Sequence, residues 1–157
     1  CVIEDTAKIL PYSVLENSVV RQGAQVGPFA RIRPESDIGE NAKVGNFVEV
    51  KKSHLASGVK VSHLSYVGDA EIGEESNIGC GFITCNYDGK NKHKTKIGKK
   101  TFIGSDSQII APVTIGEKCF VAAGSTITDD LPDGSFAISR NKQVTKEKLA
   151  KKFLKGD

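Results

Sequence analysis

Ile97-Gly98-Lys99-Lys100-Thr101-Phe102-Ile103-Gly104-Ser105-Asp106-Ser107-Gln108-Ile109 decides the fold, because its aliphatic residues return every six positions. The same step continues through Ile115, Val121 and Ile127. Working back from it, Val20, Val26, Ile32, Ile38, Val44 and Val50 form a second unbroken ladder. Shorter ladders (Ile3, Ile9, Leu15; Leu55, Val61, Val67; Ile72, Ile78) fit before and between them. A helix repeats every 3.6 residues and a flat strand every two, so neither explains this spacing. A strand that turns a corner every six residues does, which makes the chain a solenoid.

With the aliphatic anchor as position one, position two is often Gly, as at Gly39, Gly79 and Gly104. Glycine there suggests a corner with unusual dihedrals. Position five is mostly small, as at Ala24, Ser36, Ser76 and Ser107, which predicts a narrow interior. Three such walls close a triangular coil. Its inward anchors stack at roughly 4.8 Å, and each contributes about 1.5–3 kcal/mol on burial. Two stretches break the repeat. Residues 84–96 read as a loop thrust out of the coil, with Thr84 as a degraded anchor. Residues 132–157 form a C-terminal tail after a β-helix domain of residues 1–131, with a short basic helix expected over residues 144–153.

Composition narrows the functional classes. The chain has 157 residues, 38% of them hydrophobic, and a net charge of +3. That charge suits small anionic ligands and argues for no nucleic-acid partner. No apolar run reaches the ~20 residues of a membrane span. The four cysteines, Cys1, Cys80, Cys85 and Cys119, form no Cys-x-x-Cys pair. Reduced thiols and a cytoplasmic setting are therefore expected. The chain opens on Cys1 and holds no Met, as a piece of a longer protein would. A zinc enzyme on such a coil needs convergent histidines, and His54, His63 and His93 share no column, so no metal is expected.

Hexads three apart fall on one wall, so side chains can be followed from coil to coil. His63, Cys80, Ser105 and Ala123 are all position three of one wall, forming a line parallel to the axis. Small residues beside a histidine suit the floor of a groove for an extended ligand. Arg33 and Lys51 occupy position two on another wall in adjacent coils. Two cations about 5 Å apart repel by roughly 0.8 kcal/mol even in water and favour an anion such as phosphate. Glu35 and Glu49 are close enough in sequence to neutralise them. Glu49 stacks on Tyr66, three residues beyond His63, which places a carboxylate and a phenol near a candidate base. Lys90, Lys92, Lys94 and Lys96 are expected over the groove.

Five motifs in order carry a family resemblance. They are Gly27-Pro28-Phe29-Ala30-Arg31-Ile32-Arg33-Pro34, Gly45-Asn46-Phe47-Val48-Glu49-Val50-Lys51-Lys52, the run from His63 to Gly73, the run from Thr84 to Lys92, and Ala137-Ile138-Ser139-Arg140. The chain resembles the acetyltransferase half of the bacterial bifunctional enzyme that makes UDP-N-acetylglucosamine. That enzyme fuses an N-acetylglucosamine-1-phosphate uridyltransferase to a glucosamine-1-phosphate N-acetyltransferase. The resemblance implies a left-handed parallel β-helix assembled as a homotrimer, with acetyl-CoA lying between neighbouring helices. It implies acetyl transfer to the amine of glucosamine 1-phosphate, for cell-envelope synthesis. The residue matching His63 is the general base and the one matching Glu49 assists it. Those matching Arg33, Lys51, Tyr66, Asn77 and Lys92 hold the sugar phosphate. Those matching Cys80, Asn86, Tyr87, Ser105, Ala123 and Arg140 contact acetyl-CoA. Cys80 stands where the family usually has Ala, and the uridyltransferase half is absent from this chain.

The implied chemistry is direct transfer. Free imidazole titrates near 6.5 and can take the amine's proton near neutral pH. Backbone N–H groups near Cys80, freed by Gly79 and Gly81, are expected to stabilise the oxyanion. Two alternatives remain at this point: another amine acceptor on the same scaffold, and a non-catalytic solenoid that only binds partners.

Overall fold

The computed structural model describes residues 1–156 and is a three-sided parallel β-solenoid. Its strands are two to four residues long and stack into three parallel sheets of seven, eight and seven strands. The chain visits the faces in rotation: Val2–Ile3 opens the first face, Lys8–Ile9 the second, Val14–Leu15 the third. Register is strict. Ile38 pairs with Leu55 on the first face, Ile103 with Val121 on the second, and Ile32 with Val50 on the third. Every anchor from Val20 to Ile127 is buried, and the small position-five residues Ala24, Ser36, Ser76 and Ser107 fill the space between them. The hydroxyl of Ser53 shows how the polar interior is satisfied: it donates to Lys51 O at 2.8 Å and accepts from Ala70 N at 3.0 Å.

Apart from Gly27, at φ +102°, the position-two glycines serve a different purpose from the expected one. The left-handed corners lie mostly at position four, where Phe47 has φ +56° and Leu64 φ +43°. Gly79 is glycine because a Cβ there would stand 2.5 Å from Ser105 N in the next coil. Close coil-to-coil approach, not backbone freedom, excludes the side chain.

The two irregular segments are shorter than the sequence suggests. Ile83–Cys85 pairs with residues 108–110, and Thr95–Ile97 pairs with residues 70–72, so the loop proper spans 86–94. Thr84 is a working interior residue: buried, it accepts from Gly68 N at 2.7 Å and donates to Gly68 O at 3.0 Å. At the other end, parallel stacking continues past residue 131 to Phe136–Ala137. The helix expected over residues 144–153 is a single 3-10 turn, Leu149–Lys152, with no buried residue. Phe153 and Leu154 stay exposed, and without burial a lysine-rich segment this short gains too little to propagate a helix.

Candidate functional site

The third face and its two corners carry the polar constellation. The column predicted along the corner between the second and third faces is present. His63 is the Cα partner of Asn46, and Gly81 N donates to Leu64 O at 3.0 Å, placing Cys80 beside His63. Asp106 N donates to Cys80 O at 2.7 Å and Gly124 N to Ser105 O at 2.8 Å, which carries the register to Ser105 and Ala123. The tail returns here, and the Arg140 guanidinium donates to Ala123 O. Gly79 N and Gly81 N are not free for an oxyanion, because they donate to Ile103 O and Leu64 O. Among the described residues, the N–H groups of Cys80, Ser105 and Ala123 have no acceptor within the chain. Position three therefore presents a ladder of open donors along the column.

Across the third face lies a cluster of charges. Arg33 folds back along the face to donate to Glu49 Oε1 at 2.9 Å, above the strand that carries Tyr66. Lys51 Nζ lies 3.6 Å from Asp69 Oδ2, with both side chains mostly buried. Lys92 reaches this group from the loop. Its close contact with Lys51, reinforced by repulsion from that ammonium and from Arg33, holds the Lys92 amine below the usual lysine value. The same contact, together with Asp69, pushes Lys51 up. Three cations facing two carboxylates leave a net positive site, suited to a phosphate dianion. Two of the other loop lysines point elsewhere: Lys94 binds Glu71 at 2.5 Å and Lys96 lies on the first face. Glu35 meets Lys52 at 3.8 Å rather than either expected cation.

The loop is tied down at both ends. Asn86 donates to Asp69 Oδ2 at 2.5 Å and to Tyr66 Oη at 3.3 Å, so it joins the charge cluster rather than the column. Gly68 lies beneath, where a Cβ would stand 2.6 Å from Tyr66 Cζ. At the tip, Asp88 accepts from Lys90 N at 2.8 Å, Asn91 N at 2.6 Å and His93 Nε2 at 2.7 Å. The Asn91 and Lys90 amides and the His93 ring hold the Asp88 carboxyl down to about 2. Tyr87 is exposed and donates to Gly89 O at 2.7 Å. Burial pushes the Cys85 thiol up. Asn77 stands apart, on the outer second face between Lys60 and Phe102. His54, His63 and His93 lie on the first face, the corner and the loop. Among the described residues no group of three or more His, Cys, Asp and Glu is placed to hold a metal.

With the geometry in hand, comparison with known proteins separates the possibilities. The bifunctional protein GlmU of Shouchella clausii (strain KSM-K16) is 61% identical over 140 residues, which is 89% of this chain and 31% of the relative. That of Jannaschia sp. (strain CCS1) is 57% identical over 151 residues, 96% of this chain and 33% of the relative. The chain belongs to the GlmU family. It spans about a third of the length of these GlmU relatives and matches their C-terminal part. The bacterial transferase hexapeptide family matches residues 94–129, and the GMPPB C-terminal domain family matches residues 14–87. Such repeats fit left-handed winding. Among solved structures, the acetyltransferase domain of PglB from Neisseria gonorrhoeae FA1090 superposes with a TM-score of 0.67. It is 25% identical and covers 74% of this chain and 54% of that one.

Beside the residues that the GlmU resemblance points to, the site holds three that sequence reasoning missed. Asn46 Oδ1 lies 3.1 Å from His63 Nδ1. Asn46 is position three one coil earlier, so extending the column upward would have found it. Asp69 holds both Lys51 and Asn86. It follows Gly68, the register partner of Lys51, but only the folded corner turns its carboxylate back. Asp88 organises the loop through contacts local in sequence, in an Asx-type pattern that the Asp-Gly pair hints at.

Proposed function

We propose that this chain transfers the acetyl group of acetyl-CoA to the amine of glucosamine 1-phosphate, releasing CoA and N-acetylglucosamine 1-phosphate. The observation that carries the reading is the pairing, on one face, of a phosphate-ready cation cluster with a histidine column of open N–H donors. The GlmU relatives and the PglB acetyltransferase domain support the same class of reaction. The sugar phosphate lies across the third face, with Arg33, Lys51 and Lys92 on the phosphate and Tyr66 beneath the ring. The pantetheine arm follows Cys80, Ser105 and Ala123, whose N–H groups take its carbonyls, with Arg140 at the foot.

In the reaction, the amine attacks the thioester carbonyl while the free imidazole nitrogen of His63 accepts the departing proton. The carbonyl oxygen becomes an oxyanion, held by the open Cys80 N–H. The C–S bond breaks, and the CoA thiolate leaves and is protonated from the imidazolium. No cysteine is acylated. Asn77 joins the acceptor from the second face of a neighbouring copy in a homotrimer, because within one chain it points away from the cluster. The setting is the cytoplasm, where the four cysteines, all free, stay reduced. No described helix is long and apolar enough to cross a membrane. The test is thiol release from acetyl-CoA with glucosamine 1-phosphate and with unphosphorylated glucosamine. Release with the phosphate sugar alone, abolished in His63→Ala, is expected. Equal rates with both sugars would remove the phosphate from the reading.

A further inference from the structure

We propose that Asn46 is a positioning residue that sets the tautomer of His63 and so leaves Nε2 as the base. This rests on the reading of His63 as the proton acceptor. The resemblance gives the supporting role to Glu49, but within the chain the Glu49 carboxylate is engaged by Arg33 at 2.9 Å. The imidazole's partner is instead Asn46, whose Oδ1 faces Nδ1 at 3.1 Å from the preceding coil. The geometry is over-determined. His63 and Asn46 are Cα partners on adjacent strands, and Leu64 N donates to Asn46 O at 3.0 Å. The backbone ladder thus fixes the separation of the two side chains.

A neutral imidazole left alone prefers its proton on Nε2, which would put the lone pair on Nδ1, nearest its own backbone. An amide oxygen accepts only, so at this distance it draws the proton to Nδ1 and frees the outer nitrogen. His63 is exposed, so an acceptor amine can approach Nε2. Asn46 is uncharged, so it orients the ring without pairing with the imidazolium. The other titratable groups on the packed elements are Lys43, Lys60 and Cys80 on the second face and its corner, and Tyr66 and Glu49 on the third. None is hydrogen-bonded to the ring among the described residues.

The experiment compares wild type, Asn46→Ala and Asn46→Asp, with His63→Ala to assign the ring signals. Two-bond ¹H–¹⁵N correlation spectra at about pH 8.5, where imidazole is neutral, report which nitrogen carries the proton. Wild type and Asn46→Asp are expected to hold it on Nδ1, and Asn46→Ala to move it to Nε2. In parallel, kcat for Asn46→Ala falls on the order of tenfold with KM for both substrates unchanged. Asn46→Asp, which keeps the acceptor, restores the rate above an acid limb displaced to higher pH. A wild-type ring protonated on Nε2, or an Asn46→Ala spectrum like the wild type, overturns the proposal. An active His63→Ala enzyme overturns the base assignment instead, while the spectra still decide the tautomer.

Discussion

Gly79 and Gly89 are both glycine, for opposite reasons. At Gly79, in the wall, a Cβ would press to 2.5 Å from Ser105 N of the next coil. At Gly89, in the loop, a Cβ would meet nothing within 4 Å, but the backbone sits at φ +97°. The wall positions side chains by stacking buried coils, so its geometry is non-local and stiff. The loop positions them by a few side-chain bonds around one carboxylate, so its geometry is local and separable. His63, Cys80, Ser105 and Ala123 belong to the first kind; Asn86, Tyr87 and Lys92 belong to the second.

Gly79→Val strains the comparison hardest. The new methyls push against the backbone of the neighbouring coil, and overpacking of this kind costs about 3 kcal/mol. The denaturant midpoint should fall with acetyl transfer, because the join between Cys80 and Ser105 opens. Gly89→Ala is strained at φ +97°, but the strain is relieved within the loop, so the midpoint should fall by no more than about 1 kcal/mol equivalent. If both variants unfold equally, wall and loop are one cooperative unit and the distinction fails.

Asp69→Asn tests the seam between the two regions. Asn keeps the shape and tolerates the left-handed backbone at this position, φ +50°. It removes the carboxylate that Lys51 and Asn86 share. Leaving a mostly buried ammonium without its counter-charge should cost about 2 kcal/mol of stability. Inorganic phosphate should restore the variant more than it stabilises wild type, read as a larger rise in melting temperature. Equal rises would mean that Asp69 does not balance the anion site.

Those contrasts also explain what could be read from the residues alone. The anchors Val20 to Ile127 repeat at fixed spacing, and stacking turns fixed spacing into columns, so the line His63–Cys80–Ser105–Ala123 follows from counting. The pairing of Arg33 with Glu49 was within reach for the same reason. The turn of Asp69 towards Lys51, the direction taken by each loop lysine and the engagement of Gly79 N and Gly81 N depend on corners, where no period applies. The loop is shorter than the break in the repeat suggests because Thr84 interrupts the aliphatic pattern while keeping the interior position, its hydroxyl satisfied by the Gly68 backbone. The tail carries Leu149, Phe153 and Leu154 at helical spacing among its lysines, but a stripe with no surface to pack on does not extend beyond a single turn.

Asp88→Ala removes three hydrogen bonds from the loop and none from the wall. The midpoint of global unfolding should hold, while KM for glucosamine 1-phosphate rises about tenfold as Lys92 and Asn86 lose their support. The pH dependence has a definite sign. The folded carboxyl titrates at about 2, below its ordinary value of 3.8, so its stabilisation is fully present above about pH 4. It is lost as pH falls through 2. Protection of the Lys90 and Asn91 amides, the exchange rate relative to the intrinsic rate at each pH, should therefore hold down to about pH 4 and fall only below it. Protection already lost well above pH 4 would show that the Asp88 carboxylate does not hold the tip.

The smallest expected effect separates the loop lysines from one another. Lys92 faces Lys51 and Arg33 and gives up its proton more easily than an ordinary lysine, whereas Lys94 is paired with Glu71 at 2.5 Å. An amine-reactive reagent in limiting amount, at about pH 8, should label Lys92 ahead of Lys94, because only the neutral amine reacts. Peptide mapping reads the ratio. Glucosamine 1-phosphate should invert the preference by supplying the anion that reprotonates Lys92, while unphosphorylated glucosamine should not. Protection of Lys92 by both sugars would point to covering of the loop rather than neutralisation of its charge.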